Sequence, residues 1–225
     1  MIPFPIARPQ GCDIQIFYGG DASGNAETPT SPWKAWNKPR GVSHIYIMLI
    51  GGGSDGISTA SGGSGAVTVW YGAAQHIPDM LFVLASAAAG TAGGPDTVIR
   101  CINTSSGNPI LSANKTQGAN GGTAMVANNF TASGFFQSTA GQDGVTVGAP
   151  SASPTTFLSA GGFGSSPSAN YGYTANNSSP GFFMMQPIIV GRGTAAGNVN
   201  VEAAYGCGGA PNTKGGPGLA LIASW

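Results

Sequence analysis

Charged side chains are scarce in this sequence. They make up 7% of its 225 residues, against roughly a quarter in ordinary soluble domains. Lysine plus arginine number 8, aspartate plus glutamate 8, and the formal net charge is zero. Nucleic-acid binding draws affinity from clustered cations that neutralise phosphates, and the cations here are scattered, so no nucleic-acid partner is expected. A free monomer relies on net charge to resist association. The composition therefore points to a protein that works inside an assembly.

Histidine is nearly as rare, at His44 and His76. His44 lies within a strong strand pattern, and His76 in a loop near Asp79. A hydrolytic triad needs a histidine between nucleophile and acid, and no serine is marked out as its partner. A metal site needs clustered His, Cys or carboxylate ligands, and these are dispersed. Asp21 and Asp55 are the weak candidates for a loop calcium ligand. No catalytic residue, metal or cofactor is expected, and the chain reads as non-enzymatic. The three cysteines, Cys12, Cys101 and Cys207, form no C-x-x-C pair and are expected to be buried thiols.

Long apolar runs are missing too. The longest, Ile45–Ile50 and Met80–Ala89, fall well short of the ~20 residues that span a bilayer, so no membrane insertion is expected. The start, Met1-Ile-Pro-Phe-Pro-Ile-Ala-Arg-Pro, lacks the basic region and unbroken apolar stretch of a signal peptide. Synthesis in the cytoplasm without a secretory address is expected. Helix formers are sparse as well, with a short helix near Ala85–Ala89 as the one alternative.

Glycine is abundant, at 38 residues, with 16 prolines and 41% hydrophobic residues. That much apolar surface argues for a folded chain over a disordered one. Strand signals dominate. They cover Asp13–Tyr18, Val42–Ile50, Gly65–Tyr71, Met80–Ala85, Asp96–Ile102 and Leu219–Trp225. Val42–Ile50 is apolar on both faces near its end, as a central strand buried on both sides would be. Short apolar pieces, including Pro109–Leu111, Thr123–Val126, Gly134–Phe136 and Gly144–Val147, interrupt a polar middle. Gly191–Gly197 resembles a dinucleotide loop but runs into a strand pattern, not a helix, and reads as a turn. The expected fold is all-β, a β-sandwich or jelly-roll-like, with long glycine-rich loops and little or no helix. Residues 1–32 form an N-terminal strand and loop segment. Residues 33–225 are expected to form the glycine-rich β domain, with 103–187 as a loop-rich insertion and a single domain overall as the alternative.

The order of motifs carries a resemblance. Trp36-Asn-Lys-Pro39-Arg-Gly41 leads into a strand, followed by Gly51-Gly52-Gly53-Ser-Asp-Gly56 and Gly62-Gly63-Ser-Gly65-Ala-Val67. Near the end, Gly206-Cys-Gly-Gly runs to Gly215-Gly216-Pro-Gly218 before the last strand. This order resembles the glycine-rich domain at the tips of bacteriophage tail fibres and in related virion proteins. Trp36, Pro39 and Gly41 match that family's W-x-x-P-x-G lead-in, over a region covering 33–102 and 205–225. The resemblance implies a virion location, other virion proteins as partners and a homotrimer.

Some members of that family pack long glycine tracts as layered polyglycine helices. The runs here are two or three residues long, so the glycines at Gly51–Gly53, Gly62, Gly63, Gly65, Gly215, Gly216 and Gly218 are expected chiefly as turn formers. They also permit close backbone approach.

Aromatic residues are the lead for binding. Tyr171, Tyr173, Phe135, Phe136 and Trp33 lie near turns, where rings can meet a sugar face or a protein partner. Trp36, Trp70 and Trp225 are expected in the core. The expected function is a phage adhesin, tip- or spike-like, that binds a host surface glycan or protein, or fastens to neighbouring virion proteins. A head decoration or minor capsid protein is the first alternative. A small polysaccharide hydrolase is the second.

Overall fold

Alternating β-branched and aromatic residues build the strands of a computed structural model. It describes residues 12–19, 33–60, 62–86, 96–101, 108–115, 120–141, 143–144, 205–206, 208–209 and 215–225. The strands are β1 (Asp13–Tyr18), β2 (Lys34–Asn37), β3 (His44–Ile50), β4 (Val67–Ala73), β5 (Met80–Leu84), β6 (Thr97–Arg100), β7 (Leu111–Ala113), β8 (Gly134–Thr139) and β9 (Leu219–Ser224). Two single turns of 3-10 helix, Ala74–His76 and Thr131–Ser133, are the helical pieces among the described residues. Ala85 and Ser86 are not helical. No helix among the described residues is long and apolar enough to cross a membrane.

One sheet has the order β1-β9-β3-β4-β8 and the other β2-β5-β6-β7. Every pairing is antiparallel. The fold is therefore all-β, with two antiparallel sheets sharing one core. Ile45, Ile47, Leu49, Trp70, Ala220 and Ile222 of the first sheet meet Trp36, Leu81, Val83, Ile99 and Leu111 of the second. Each such large side chain contributes roughly 1.5–3 kcal/mol on burial.

β3 is central and buried on both faces, as its apolar pattern predicts. Its other face, Met48 and Ile50, joins Val67, Val69 and Leu219 in a second cluster under Tyr205. β1 and β9 pair from Asp13–Ser224 to Tyr18–Leu219, so the N-terminal strand belongs to the same sheet as the last one. β7 and β8, from within 103–187, are also sheet members.

Four features depart from what the sequence predicts. β2 carries no legible strand signal, because only Trp36 of its four residues is buried. Trp225 is half-buried, not a core residue, since it lies just past the end of β9 on the sheet surface. Cys101 is exposed and Cys12 half-buried, both as free thiols; Cys101 lies just past the end of β6, where the chain leaves the sheet. Cys207 lies outside the described residues, as do the Gly191–Gly197 segment and the strand signal expected at 145–147.

The fourth concerns the glycines. Only Gly41 (φ 79) and Gly206 (φ 72) have positive φ among the described residues. The runs at 51–53, 62–65 and 215–218 are not reversals. They are buried backbone, free of turns and bends, lying beyond the Ile50 end of the first sheet. Segment 62–66 donates from Gly62 to the Gly209 carbonyl (2.8 Å), from Gly65 to Gly206 (2.8 Å) and from Ala66 to Asn114 (2.9 Å). Its own carbonyls accept from Ser54 (3.1 Å), Gly122 (2.9 Å) and Gly51 (2.9 Å).

A strand in a sheet has at most two bonded neighbours. This segment has four: 51–54, Gly206–Gly209, Asn114 and Gly122. Such packing leaves no room for side chains. A methyl at Gly62 would overlap the Ser54 carbonyl, and one at Gly65 the backbone of Gly51. Close packing of glycine backbones is thus assembled from several short pieces of chain hydrogen-bonded to one another.

Gly65→Ala is expected to lower stability by about 1–3 kcal/mol or more, through overpacking against backbone that cannot move aside. Gly41→Asn is the control. Gly41 has open space around it, and Asn tolerates left-handed backbone, so a change within about 0.5 kcal/mol is expected. Urea denaturation midpoints of the two variants check both.

Candidate functional site

The outer face of the first sheet follows from strand register. Reading β1-β9-β3-β4-β8, one row runs Tyr18, Leu219, Ile50, Val67, Thr139, and the next Ile16, Leu221, Met48, Val69, Gln137. The third row is Ile14, Ala223, Tyr46, Tyr71, Phe135. The centre of this face is buried, while its margins are open. Ile14 (38%), Ile16 (39%) and Tyr18 (50%) are exposed along β1, and Tyr71 (38%) and Phe135 (53%) at the opposite corner.

That corner collects aromatic rings. Residues alternate faces along a strand, so His44 points the same way as Tyr46, and Trp225 the same way as Ala223. Backbone bonds hold the two together: His44 N–H donates to the Trp225 carbonyl (2.9 Å), and Trp225 N–H to that of His44 (3.1 Å). The centroids of His44, Tyr71 and Trp225 lie 5.7, 5.9 and 6.3 Å apart. Their planes differ by only 13°, 15° and 21°. Such offset, aligned rings attract one another. They also present π surface in one common direction. Phe135, opposite Tyr71 in register, extends the cluster to the sheet edge.

Polar groups rim the corner. The exposed Ser43 hydroxyl lies 2.9 Å from His44 Nδ1 and 3.2 Å from the Trp225 carbonyl oxygen. On the same face, burial pushes the Tyr46 hydroxyl up to a pKa of about 12.

The remaining sequence candidates fall elsewhere. Phe136 points the other way from Phe135 and packs against the shared core. Trp33 lies at the start of β2 in the other sheet, with the Arg100 guanidinium 5.1 Å from its ring centroid. Trp36 is fully buried, and Pro39 and Gly41 form the turn that delivers the chain to β3. Tyr171, Tyr173 and Asp21 lie outside the described residues. Asp55 Oδ1 accepts the Gly215 N–H at 2.8 Å and so fastens the glycine packing. Among the described residues no group of three or more His, Cys, Asp or Glu could hold a metal ion. His76 sits exposed on a 3-10 turn. Lys38 holds that turn by donating to the Ala74 and Ile77 carbonyls (3.3 and 2.7 Å).

Sequence reasoning missed Tyr71, His44 and Trp225 as a group. The alternation Val69-Trp70-Tyr71 does place Tyr71 opposite the buried Trp70. Neither a family model nor a curated protein sequence matches the chain.

Two outcomes follow from these contacts. Asp55→Ala is expected to cost about 1.5–3 kcal/mol, the range for a hydrogen bond to a charged group, while Asp55→Asn, which keeps an acceptor oxygen, loses less; thermal melts compare them. In the folded state burial keeps the Tyr46 proton in place up to about pH 12, above the ordinary tyrosine value of about 10. Once unfolded it ionises nearer the lower value, so its contribution to stability is present below about pH 10 and is lost as pH rises towards 12. Ultraviolet titration should show a late-ionising tyrosine that disappears in Tyr46→Phe.

Proposed function

We propose that this chain is a non-enzymatic adhesive protein of a bacteriophage particle, tip- or spike-like, that binds a host surface glycan. The observation that carries the reading is the aligned, partly exposed cluster of His44, Tyr71 and Trp225, extended by Phe135. Sugar rings have an apolar C–H face bordered by hydroxyls. Aligned aromatic faces with a polar rim match that shape, and a rigid antiparallel sheet holds them without an ordering penalty on binding.

Three further features agree with the reading. The W-x-x-P-x-G lead-in at Trp36, Pro39 and Gly41 resembles that of fibre-tip domains. The closely packed glycine backbones are in keeping with a glycine-rich domain of that kind. The low charge suits a chain held among copies of itself, as a homotrimer, or among other virion proteins. The exposed apolar margin at Ile14, Ile16 and Tyr18 is available for such contacts.

Purified protein is expected to bind immobilised host glycans and to block phage adsorption. Tyr71→Ala is expected to weaken binding about tenfold, the equivalent of one aromatic contact, and Phe135→Ala less, with circular dichroism unchanged. Binding to empty phage heads without any binding to cells or glycans would replace this reading with a head decoration role.

A further inference from the structure

Two bonds at opposite ends of β9 decide which way the backbone of β1 points. In an antiparallel ladder, residues whose N–H and C=O face one neighbour alternate with residues whose groups face away from it. Gly19 N–H donates to the Gly218 carbonyl at 3.0 Å, so this pair faces across the β1–β9 ladder. Steps of two residues put Phe17, Gln15 and Asp13 in the same set, opposite Ala220, Ile222 and Ser224. At the far end Trp225 and His44 exchange N–H···O bonds, so Trp225 faces β3 and Ser224 faces β1. The two ends agree. Ile14, Ile16 and Tyr18 therefore turn their N–H and C=O groups away from β9, towards the edge of the described sheet.

The same three residues carry the exposed apolar side chains of this margin. Edge strands are commonly protected by lysine, proline, a bulge or short length. β1 has none of these. It is six residues long and pairs with β9 without a bulge. Its single charge is Asp13, which accepts from the Gln15 side-chain amide at 2.7 Å. The other described edges differ. β2 carries the exposed Lys34, β7 has three residues, and β8 ends in the polar run Gln137-Ser138-Thr139.

We propose that a second copy of this chain pairs its β1 antiparallel with this β1, about a two-fold axis at Ile16, and so continues the sheet. Antiparallel pairing of a strand with its own copy is two-fold by geometry. Centred on Ile16, it sets Ile14 against the partner's Tyr18 and Ile16 against the partner's Ile16. Each outward N–H and C=O of the three residues then meets its complement on the other copy. The apolar side chains form cross-strand pairs on one face. Asp13 falls opposite the partner's Gly19, so no like charges meet. A formal net charge of zero leaves the copies without long-range repulsion. Such a contact joins chains in pairs, whatever further contacts a trimer or a particle adds. The axis stands perpendicular to the sheet, which keeps both aromatic corners on the same face. Two-point attachment to a glycan-coated surface would follow, a consequence that, unlike the pairing, rests on the glycan-binding reading above.

The test uses the whole protein. Sedimentation equilibrium is expected to show dimers, and the Ile14, Ile16 and Tyr18 amides should exchange with solvent more slowly as protein concentration rises. Ile16→Lys and Ile16→Glu alter a side chain that is 39% exposed, so each should keep the fold by circular dichroism. Each sets like charges against one another across the axis and should weaken dimerisation about tenfold or more. Mixed in equal amounts, the two variants should form a mixed dimer, because lysine then faces glutamate. A monomer at every concentration overturns the proposal. Slow exchange of the three amides that ignores concentration also overturns it, since the edge is then covered within one chain. Self-association that both variants retain, or a mixture that fails to pair, places the contact elsewhere and overturns it too. Filaments abolished by Phe135→Lys replace it with a contact between β1 and β8. Should either variant lose its fold, amide exchange in the wild type decides alone. Glycan binding by the monomeric variants is read separately, so the adhesin reading stands or falls by itself.

Discussion

Backbone amides bonded to backbone carbonyls, with no side chain between them, hold together the end of this molecule where the strands run out. The first sheet could not simply stop at Ile50 and Val67, because their polar groups would need partners. The glycine segments provide them: Gly51 bonds to Ala66, Gly53 to Gly216, and Gly62 to Gly209. Each segment serves several neighbours at once. The composition follows from this constraint. Many positions can hold only glycine, alanine or serine, so charged and long side chains are confined to the surface that remains.

The rest of the architecture is fastened to this packing. Thr97 of β6 donates to the Ile50 carbonyl at 2.7 Å, which ties the second sheet to the end of the central strand. Thr68 of β4 donates to the Ser112 carbonyl of β7 at 2.6 Å and makes a second tie. Asp55 and Asp143 clip the N–H groups of Gly215 and Gly121. Few acids are present, and those described near the glycine segments are placed as acceptors for loop amides. The aromatic corner lies at the opposite end of β3, around His44.

Much of the fold was legible because strands announce themselves locally. β1, β3, β4, β5, β6 and β9 each carry an apolar or alternating run, and their observed bounds fall within a few residues of those runs. β2 does not, since one buried tryptophan in four residues is no pattern. The glycine packing was misread for a different reason. Its contacts join segments far apart in the chain, such as Asp55 and Gly215 at a separation of 160 residues, and glycine looks the same in a turn and in a close contact. The aromatic corner was hidden likewise, because Ser43 and Trp225 meet across 182 residues. Of the ring residues chosen from sequence, only Phe135 belongs to it. Register creates the site, and register becomes readable only once the sheet order is known.

β9 sits between β1 and β3, antiparallel to both. As the chain leaves the ribosome, β1 has no ladder partner and β3 one open edge until Leu219–Ser224 has been made. The same event completes the corner, since Trp225 follows directly. A prematurely ended chain therefore lacks both its central ladder and its aromatic cluster, and it exposes strand edges of the kind that quality-control proteases and chaperones recognise. The central ladder and the aromatic corner are thus completed by one and the same segment of chain.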